Sequence, residues 1–292
     1  MKIFKVLALL AVVVVAGYVG GHFPSLKATA PISESESVYQ RVLRTHTLRC
    51  GYNYYAPVLT RNEKTGKLEG VYVDYMEALG KLTGLKIEWV SEIGWGDVPI
   101  ALKDKKIDAF CAGTWADARR GTQIAFTAPV FFNVIQAYGR ADDHRFETLN
   151  AINNSQITIA AIDGSVPADI AAQEFPNAKT LSLPVLDTDA DELLNVASGK
   201  ADVAFTSGGP AALYMRNNPG KLQLIASGNP IRVFGVTTAV AIEDPPLLEM
   251  LNTATQQLVD SGTVDRILAE YEKDYPGAFV KVAPRYDVHG SE

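Results

Sequence analysis

An α/β protein folded as two lobes around a cleft is what this sequence predicts, and three observations carry that prediction. Apolar strand-like runs alternate with helix-like stretches from Leu48 onward, the pattern of a parallel sheet with crossover helices. The alternation occurs twice, over residues 48–113 and again over 156–226. Two further segments, 131–143 and 233–242, read as extended chain passing between the units, with crossovers expected near 137–142 and 229–236. Two crossings imply a hinge and a cleft, with a separate sheet in each half.

The elements follow in order. "PISESES" (31–37) is polar and reads as a linker, and Ser37 caps a short helix over "VYQRVLRT". "LRCGY" (48–52) is a buried strand, and "RNEKTGKLEG" (61–70) is a hairpin tip around Thr65-Gly66. "VDYMEALGKLTG" (73–84) has helical spacing and is closed by Gly84. "KIEWV" (86–90) is a strand, 96–108 a helix and "AFCAG" (109–113) a strand. In the second unit, strands are read over 156–162, 178–183, 201–207 and 222–226. Helices are read over 166–175, 189–200 and 209–220, and 245–275 supplies closing helices.

Composition narrows the function. The 292 residues are 47% hydrophobic and 21% charged, with a net charge of −6, so nothing favours nucleic acid. The two cysteines, Cys50 and Cys111, lie in apolar runs and read as buried free thiols, with a single disulfide as the alternative. Lys2 and Lys5 precede an apolar run from Val6 to Val19, the layout of a secretory signal. That run is short for a spanning helix, which needs about 20 residues. Residues 1–30 are therefore a signal or, if uncleaved, an anchor, and the site of action is periplasmic or extracellular.

In order and spacing, the blocks "LRCGYNYYAPV", "GKLEGVYVDYMEALGKLTG", "IALKDKKIDAFCAG", "ARRGTQIAFTAPV", "GKADVAFTS" and "LVDSGTVDRILAEY" resemble one family. It is the family-3 extracellular solute-binding proteins of ABC importers, the group that contains polar amino-acid binders. The resemblance covers about residues 47–275. It implies a type 2 periplasmic-binding-protein fold with two crossover strands and a ligand closed between the lobes. The expected division is 31–46 as linker and short helix, 47–138 plus 233–280 as lobe 1, 139–232 as lobe 2 and 281–292 as tail.

The resemblance also implies a site. Arg120, one helical turn after the strand-end Gly, matches the arginine that grips a ligand carboxylate. A planar fork of N–H donors suits that group, and a helix start adds free backbone N–H groups. Arg119 reads as a solvated neighbour. Tyr55 and Trp95 match aromatics on opposite walls. Gly113 and Trp115 match the strand-end loop, and Ser165 and Val166 match a second-lobe contact at a helix start. Ser207 stands where amino-acid binders carry an Asp for the ligand ammonium, and Asn53 stands where a first-loop acid is common. Trp115 stands in place of a hydroxyl. With no acid at these positions, the aromatics Tyr52, Tyr54, Tyr55, Trp95 and Trp115 suit an organic or aromatic carboxylate, or a cation held by cation–π contact.

Three roles compete. The first is a transport receptor without catalysis, cofactor or metal. It would be monomeric and would hand a small carboxylate (an amino acid or related organic acid) to the membrane permease of an ABC importer. The second is an enzyme resembling cyclohexadienyl dehydratase, which needs a general acid in the cleft. Near the second-lobe loop only Asp163 is available, and it reads as a turn residue before Gly164. The third is a module presented to a sensor partner on another chain.

Overall fold

The computed structural model describes residues 36–226, 230–275 and 277–282. The expected signal or anchor and most of the expected tail lie outside the described residues. Helix α1 (Val38–Thr45) opens on a capping box, with the Ser37 hydroxyl on the Gln40 N–H and the Gln40 side chain on the Ser37 N–H. Strand β1 (Thr47–Tyr52) leads to the small hairpin of β2 (Thr60–Arg61) and β3 (Leu68–Glu69). Helix α2 (Val71–Thr83) ends at Gly84, whose φ of 71° is a left-handed conformation that suits glycine. Strand β4 (Lys86–Glu92), helix α3 (Val98–Lys103) and strand β5 (Ala109–Trp115) complete the first unit.

After the short β6 (Ile124–Phe126), β7 (Phe131–Arg140) crosses to the second unit. There β8 (Thr158–Ile162), α4 (Val166–Glu174), β9 (Lys179–Leu183) and α5 (Asp189–Ala197) follow. Next come β10 (Val203–Ser207), α6 (Gly208–Asn217) and β11 (Leu222–Ile225). Strand β12 (Arg232–Ala241) returns to the first unit, and α7 (Pro245–Asp260), α8 (Thr263–Glu272) and β13 (Val280–Lys281) follow.

Three sequence expectations need correction. Separate sheets were expected, but one ladder runs β4-β1-β5-β12-β7-β10-β8-β9. The halves meet where β7 and β12 pair antiparallel, from Arg232 opposite Ile135 to Val236 opposite Phe131. Two crossovers running side by side would each leave a row of backbone groups unpaired, and pairing them with each other satisfies both. The sheet therefore curls through the hinge, and the two lobes hang on that pairing. The helix expected over 96–108 is only α3, because Lys105 adopts φ 56° and turns the chain toward β5.

The third correction concerns the cysteines. Cys50 and Cys111 are not free thiols but a disulfide, with Cα atoms 5.5 Å apart. The strands β1 and β5 are parallel neighbours with Cys50 opposite Ala109, so Cys111 is two residues along on the same face. Such pairing is a property of strand register, which two isolated apolar runs do not reveal. On the chain-entropy model, a cross-link spanning 61 residues stabilises by about 4 kcal/mol. It ties together the two strands whose far ends supply the aromatic side of the cleft.

Candidate ligand cleft

A cavity of ≈ 40 Å³ lies between the lobes, past the C-terminal ends of β1, β4, β5 and β8. On the first-lobe side it is lined by Tyr55, Trp95, Gly113, Thr114, Trp115 and Arg120. Tyr55 stands between the two tryptophans, with ring centroids 6.1 Å from Trp95 and 5.9 Å from Trp115, both edge to face. Trp115 is held from behind by a parallel stack on Phe234 of β12, at 5.6 Å. Gly113 has φ 75°, and a Cβ there would come within 2.9 Å of Tyr72, Val58 and Val236. Only glycine lets β5 pass that close to α2 and still turn its end toward the cavity.

Arg120 is buried, but it does not sit at an α-helix start as expected. It begins a single 3-10 turn, Arg120–Thr122. Its backbone N–H donates to Asp117 Oδ1 at 2.9 Å, Nε donates to Asp117 Oδ2 at 2.6 Å, and Nη2 donates to the Trp115 carbonyl at 2.8 Å. The neighbouring carboxylate, rather than a helix dipole, therefore orients the guanidinium. The Nη1 edge is bound to nothing among the described residues.

The second-lobe side is lined by Ile162, Ser165, Val166, Pro167, Asp189 and Glu192. Ser165 caps α4 by accepting from the Ala168 N–H at 3.3 Å. Asp189 and Glu192 lie one turn apart on α5, and Thr206 donates its hydroxyl to Asp189. Glu192 is buried and accepts the Ile162 N–H at 2.9 Å. Burial raises the Asp189 carboxyl above the ordinary range, against the Thr206 hydrogen bond. Burial, reinforced by the charge of Asp189, pushes Glu192 well above it, against the Ile162 N–H.

The lobes touch beside the cavity. A Cβ on Gly164 would lie 2.7 Å from the Cα of Gly96. Arg119, expected to be merely solvated, forms an ion pair with Asp169 of α4 in the opposite lobe. Tyr55 reaches across as well: its hydroxyl is 2.6 Å from Ser207 Oγ and accepts from Asn133. Burial, with Asp189 nearby, raises that hydroxyl far above the usual tyrosine range, so it stays protonated.

Arg120, Trp115, Gly113, Trp95, Tyr55, Ser165 and Val166 are thus brought together, while Asn53 and Ser207 are not. Asn53 is buried and accepts the Tyr54 N–H at 2.8 Å, and Ser207 stands behind Tyr55. Of the five aromatics, Tyr52 and Tyr54 turn away to share Arg61, whose guanidinium carbon is 5.7 Å from the Tyr54 ring centre. Asp163 is exposed and accepts from Ser182. Two acids that the sequence reading did not single out, Asp189 and Glu192, line the cavity instead. The signal for them was a glutamate beside the apolar stripe of Leu193 and Val196, three residues after another acid.

The model of the bacterial extracellular solute-binding proteins, family 3, matches residues 48–274. The chain belongs to that family. The curated relatives it matches are named as amino-acid-binding proteins, one of them as the binding protein of an amino-acid ABC transporter. The probable amino-acid-binding protein YxeM of Bacillus subtilis is 24% identical over 211 residues, spanning 72% of this chain and 78% of that one. The glutamate-binding protein GluB of Corynebacterium glutamicum is 22% identical over 233 residues, 77% of this chain and 78% of its own. Among solved structures, the ancestral amino acid-binding protein AncCDT-1, described as a precursor of cyclohexadienyl dehydratase, superposes with a TM-score of 0.70. It is 24% identical and covers 82% of this chain and 100% of that one. At that identity the likeness speaks to the fold.

Proposed function

We propose that this family member is the extracytoplasmic binding component of an ABC-type importer, closing its lobes over a small carboxylate-bearing solute. The observation that carries the reading is Arg120. Its guanidinium is buried beside the cavity, fixed by Asp117 and the Trp115 carbonyl, with its Nη1 edge uncommitted. Such an edge matches a carboxylate. Trp95, Tyr55 and Trp115 exclude water around it, which strengthens the pair. At ≈ 40 Å³ the cavity holds roughly three waters at one probe sphere each. Admission of a solute of amino-acid size therefore requires the lobes to part, and the β7–β12 pairing is where they would bend. The Cys50–Cys111 disulfide fits an oxidising compartment outside the cytoplasm. The partner is the membrane permease of the importer.

The test is a thermal-shift screen of amino acids and organic acids, followed by calorimetry on the best solute. A solute at 100 times its dissociation constant stabilises by about 2.7 kcal/mol. Arg120→Ala is expected to weaken binding roughly 30-fold or more, since truncating one partner of a desolvated charged pair costs about 2–5 kcal/mol. Arg120→Lys restores only part, because the fork is lost. Unchanged affinity in Arg120→Ala overturns the reading.

One observation favours a second reading. Asp189 and Glu192 place two carboxyl groups against the cavity, the kind of group a dehydratase-like enzyme uses as its general acid. Incubating the protein with its best solute separates the two. The solute returns unchanged from a receptor and is converted by an enzyme, as read by mass spectrometry.

A further inference from the structure

Glycines mark a seam between the lobes. A Cβ on Gly94, just after β4, would stand 2.9 Å from the Val185 carbonyl oxygen, just after β9. Gly96 meets Gly164 backbone to backbone, as described above. A Cβ on Gly209, in the first turn of α6, would stand 2.6 Å from Pro57 Cδ. Neither Gly94 nor Gly209 has a left-handed φ, so the local backbone does not call for glycine at either position. In a helix, alanine would be the better residue than Gly209. What rules out a side chain at both positions is the opposite lobe. Gly94 and Gly96 flank Trp95, and Pro57 follows Tyr55 by two residues, so the seam runs through both aromatic loops of the cavity.

A hydrogen-bonded trio locks the same seam. The Tyr55 hydroxyl is 2.6 Å from Ser207 Oγ at the end of β10, and it accepts from the Asn133 amide on β7. The trio therefore joins the first lobe, the crossover strand and the second lobe, and all three side chains are buried. Parting the lobes breaks the Tyr55–Ser207 bond and exchanges it for bonds to water. Every partner in the seam and the trio belongs to the protein, so these contacts favour closure with or without a solute.

We propose that the closed arrangement is self-latched: the Tyr55–Ser207 bond and the glycine seam hold the lobes together in the ligand-free protein, and a solute occupies a cavity that the protein closes for itself. Opening is then the gate. A solute enters only while the latch is undone, so the latch limits the association rate. The proposal concerns the ligand-free state, so it stands or falls apart from the carboxylate reading of Arg120.

Small-angle X-ray scattering of the ligand-free protein tests this, on the wild type and on Ser207→Ala, Tyr55→Phe, Gly94→Ala, Gly209→Ala and Arg119→Ala. Ser207 lies outside the cavity lining. The atoms nearest to an added Cβ at 94 or 209 all belong to the opposite lobe, so those two variants act as wedges on closure. A cooperative unfolding transition shows that each variant is folded, and Ser207→Ala carries the latch test should Tyr55→Phe not fold. The wild-type curve is expected to match the closed arrangement. Ser207→Ala and Tyr55→Phe are expected to lower the closed-to-open ratio roughly 3- to 10-fold, the worth of one hydrogen bond. Gly94→Ala and Gly209→Ala are expected to expand the protein more, and Arg119→Ala, whose ion pair is exposed, to scatter like the wild type. A wild-type curve that fits only parted lobes overturns the proposal. So do curves of Ser207→Ala, Gly94→Ala and Gly209→Ala that all coincide with the wild type. Expansion in the glycine variants with none in Ser207→Ala or Tyr55→Phe overturns it as well, because the seam would then close without a latch.

Discussion

The second lobe holds two pairs of acids that face opposite fates. Asp143 and Asp202 lie at the base of the lobe in a closed network with arginines. Asp143 Oδ1 accepts Arg145 Nε at 2.8 Å, and Asp202 accepts Arg145 Nη2 at 2.6 Å, Arg140 Nη2 at 3.3 Å and the Thr158 N–H at 2.9 Å. Arg145 holds the Asp143 carboxyl below its ordinary value despite partial burial. Burial pushes Asp202 up, but Arg145, the Thr158 N–H and Arg140 outweigh it, and the net shift is downward. Among the described residues Asp189 and Glu192 have no arginine partner, and their carboxyls are shifted the other way. Both pairs are carboxylates in one lobe. What separates them is whether the fold brings its own cations, and the pair left open is the one at the cavity.

Removing one acid from each pair breaks the comparison most strongly. Asp202→Ala takes an acceptor from two arginines and from the start of β8, and is expected to cost about 2–3 kcal/mol of stability. Denaturant unfolding measures that loss, and solute affinity is expected to stay as in the wild type. Asp189→Asn is the converse: it changes a residue of the cavity lining, and stability holds or rises. If Asp189→Asn destabilises the protein as much as Asp202→Ala does, the two pairs serve the same structural purpose and the contrast is lost.

Acid titration sharpens the contrast through its sign. The folded-state pKa values of Asp189 and Glu192 are raised above the ordinary 3.8 and 4.5. In the ligand-free protein their contribution to stability is fully present below those values and fades as pH rises through the folded-state values. Asp143 and Asp202, lowered from 3.8, contribute stability above that value and lose it as pH falls. The stability difference between the Asp189→Asn/Glu192→Gln double variant and the wild type is therefore expected to grow with pH above about 4. For Asp202→Ala the deficit shrinks as pH falls below about 4. Unfolding curves at four or five pH values decide this. Parallel profiles for the two sets would contradict it.

The smallest effect belongs to the Arg119–Asp169 ion pair that spans the lobes. The Arg119 side chain is 67% exposed, and pairs of that kind contribute about 0–1 kcal/mol. Arg119→Ala is expected to weaken solute binding no more than about fivefold, with the effect fading at high salt. A loss equal to that of Arg120→Ala would mean that the lobe contact, and not the buried guanidinium, dominates affinity.

What could be read in advance follows the same division. Helix ends and strand runs are local patterns: the Ser37 cap, the Gly84 stop and the alternation of 156–226 were visible in the sequence, as was the order of the elements. Arg120, Trp115 and Gly113 were visible because they form one strand-end motif. The Cys50–Cys111 pairing was not, because register between β1 and β5 depends on contacts remote in sequence. Ser207 and Asn53 stand outside the cavity lining, because a family position says little about which way a side chain turns once Tyr55 has claimed the space. Asp189 and Glu192 were hidden behind a capping pattern, "TDAD", that accounts for acids at a helix start without a ligand.

A crystal structure with the tightest-binding solute of the screen tests the central claim most directly. The account predicts a carboxylate within about 3 Å of Arg120 Nη1, the charge-assisted hydrogen-bond range. A solute that leaves Arg120 Nη1 without a carboxylate partner would contradict it.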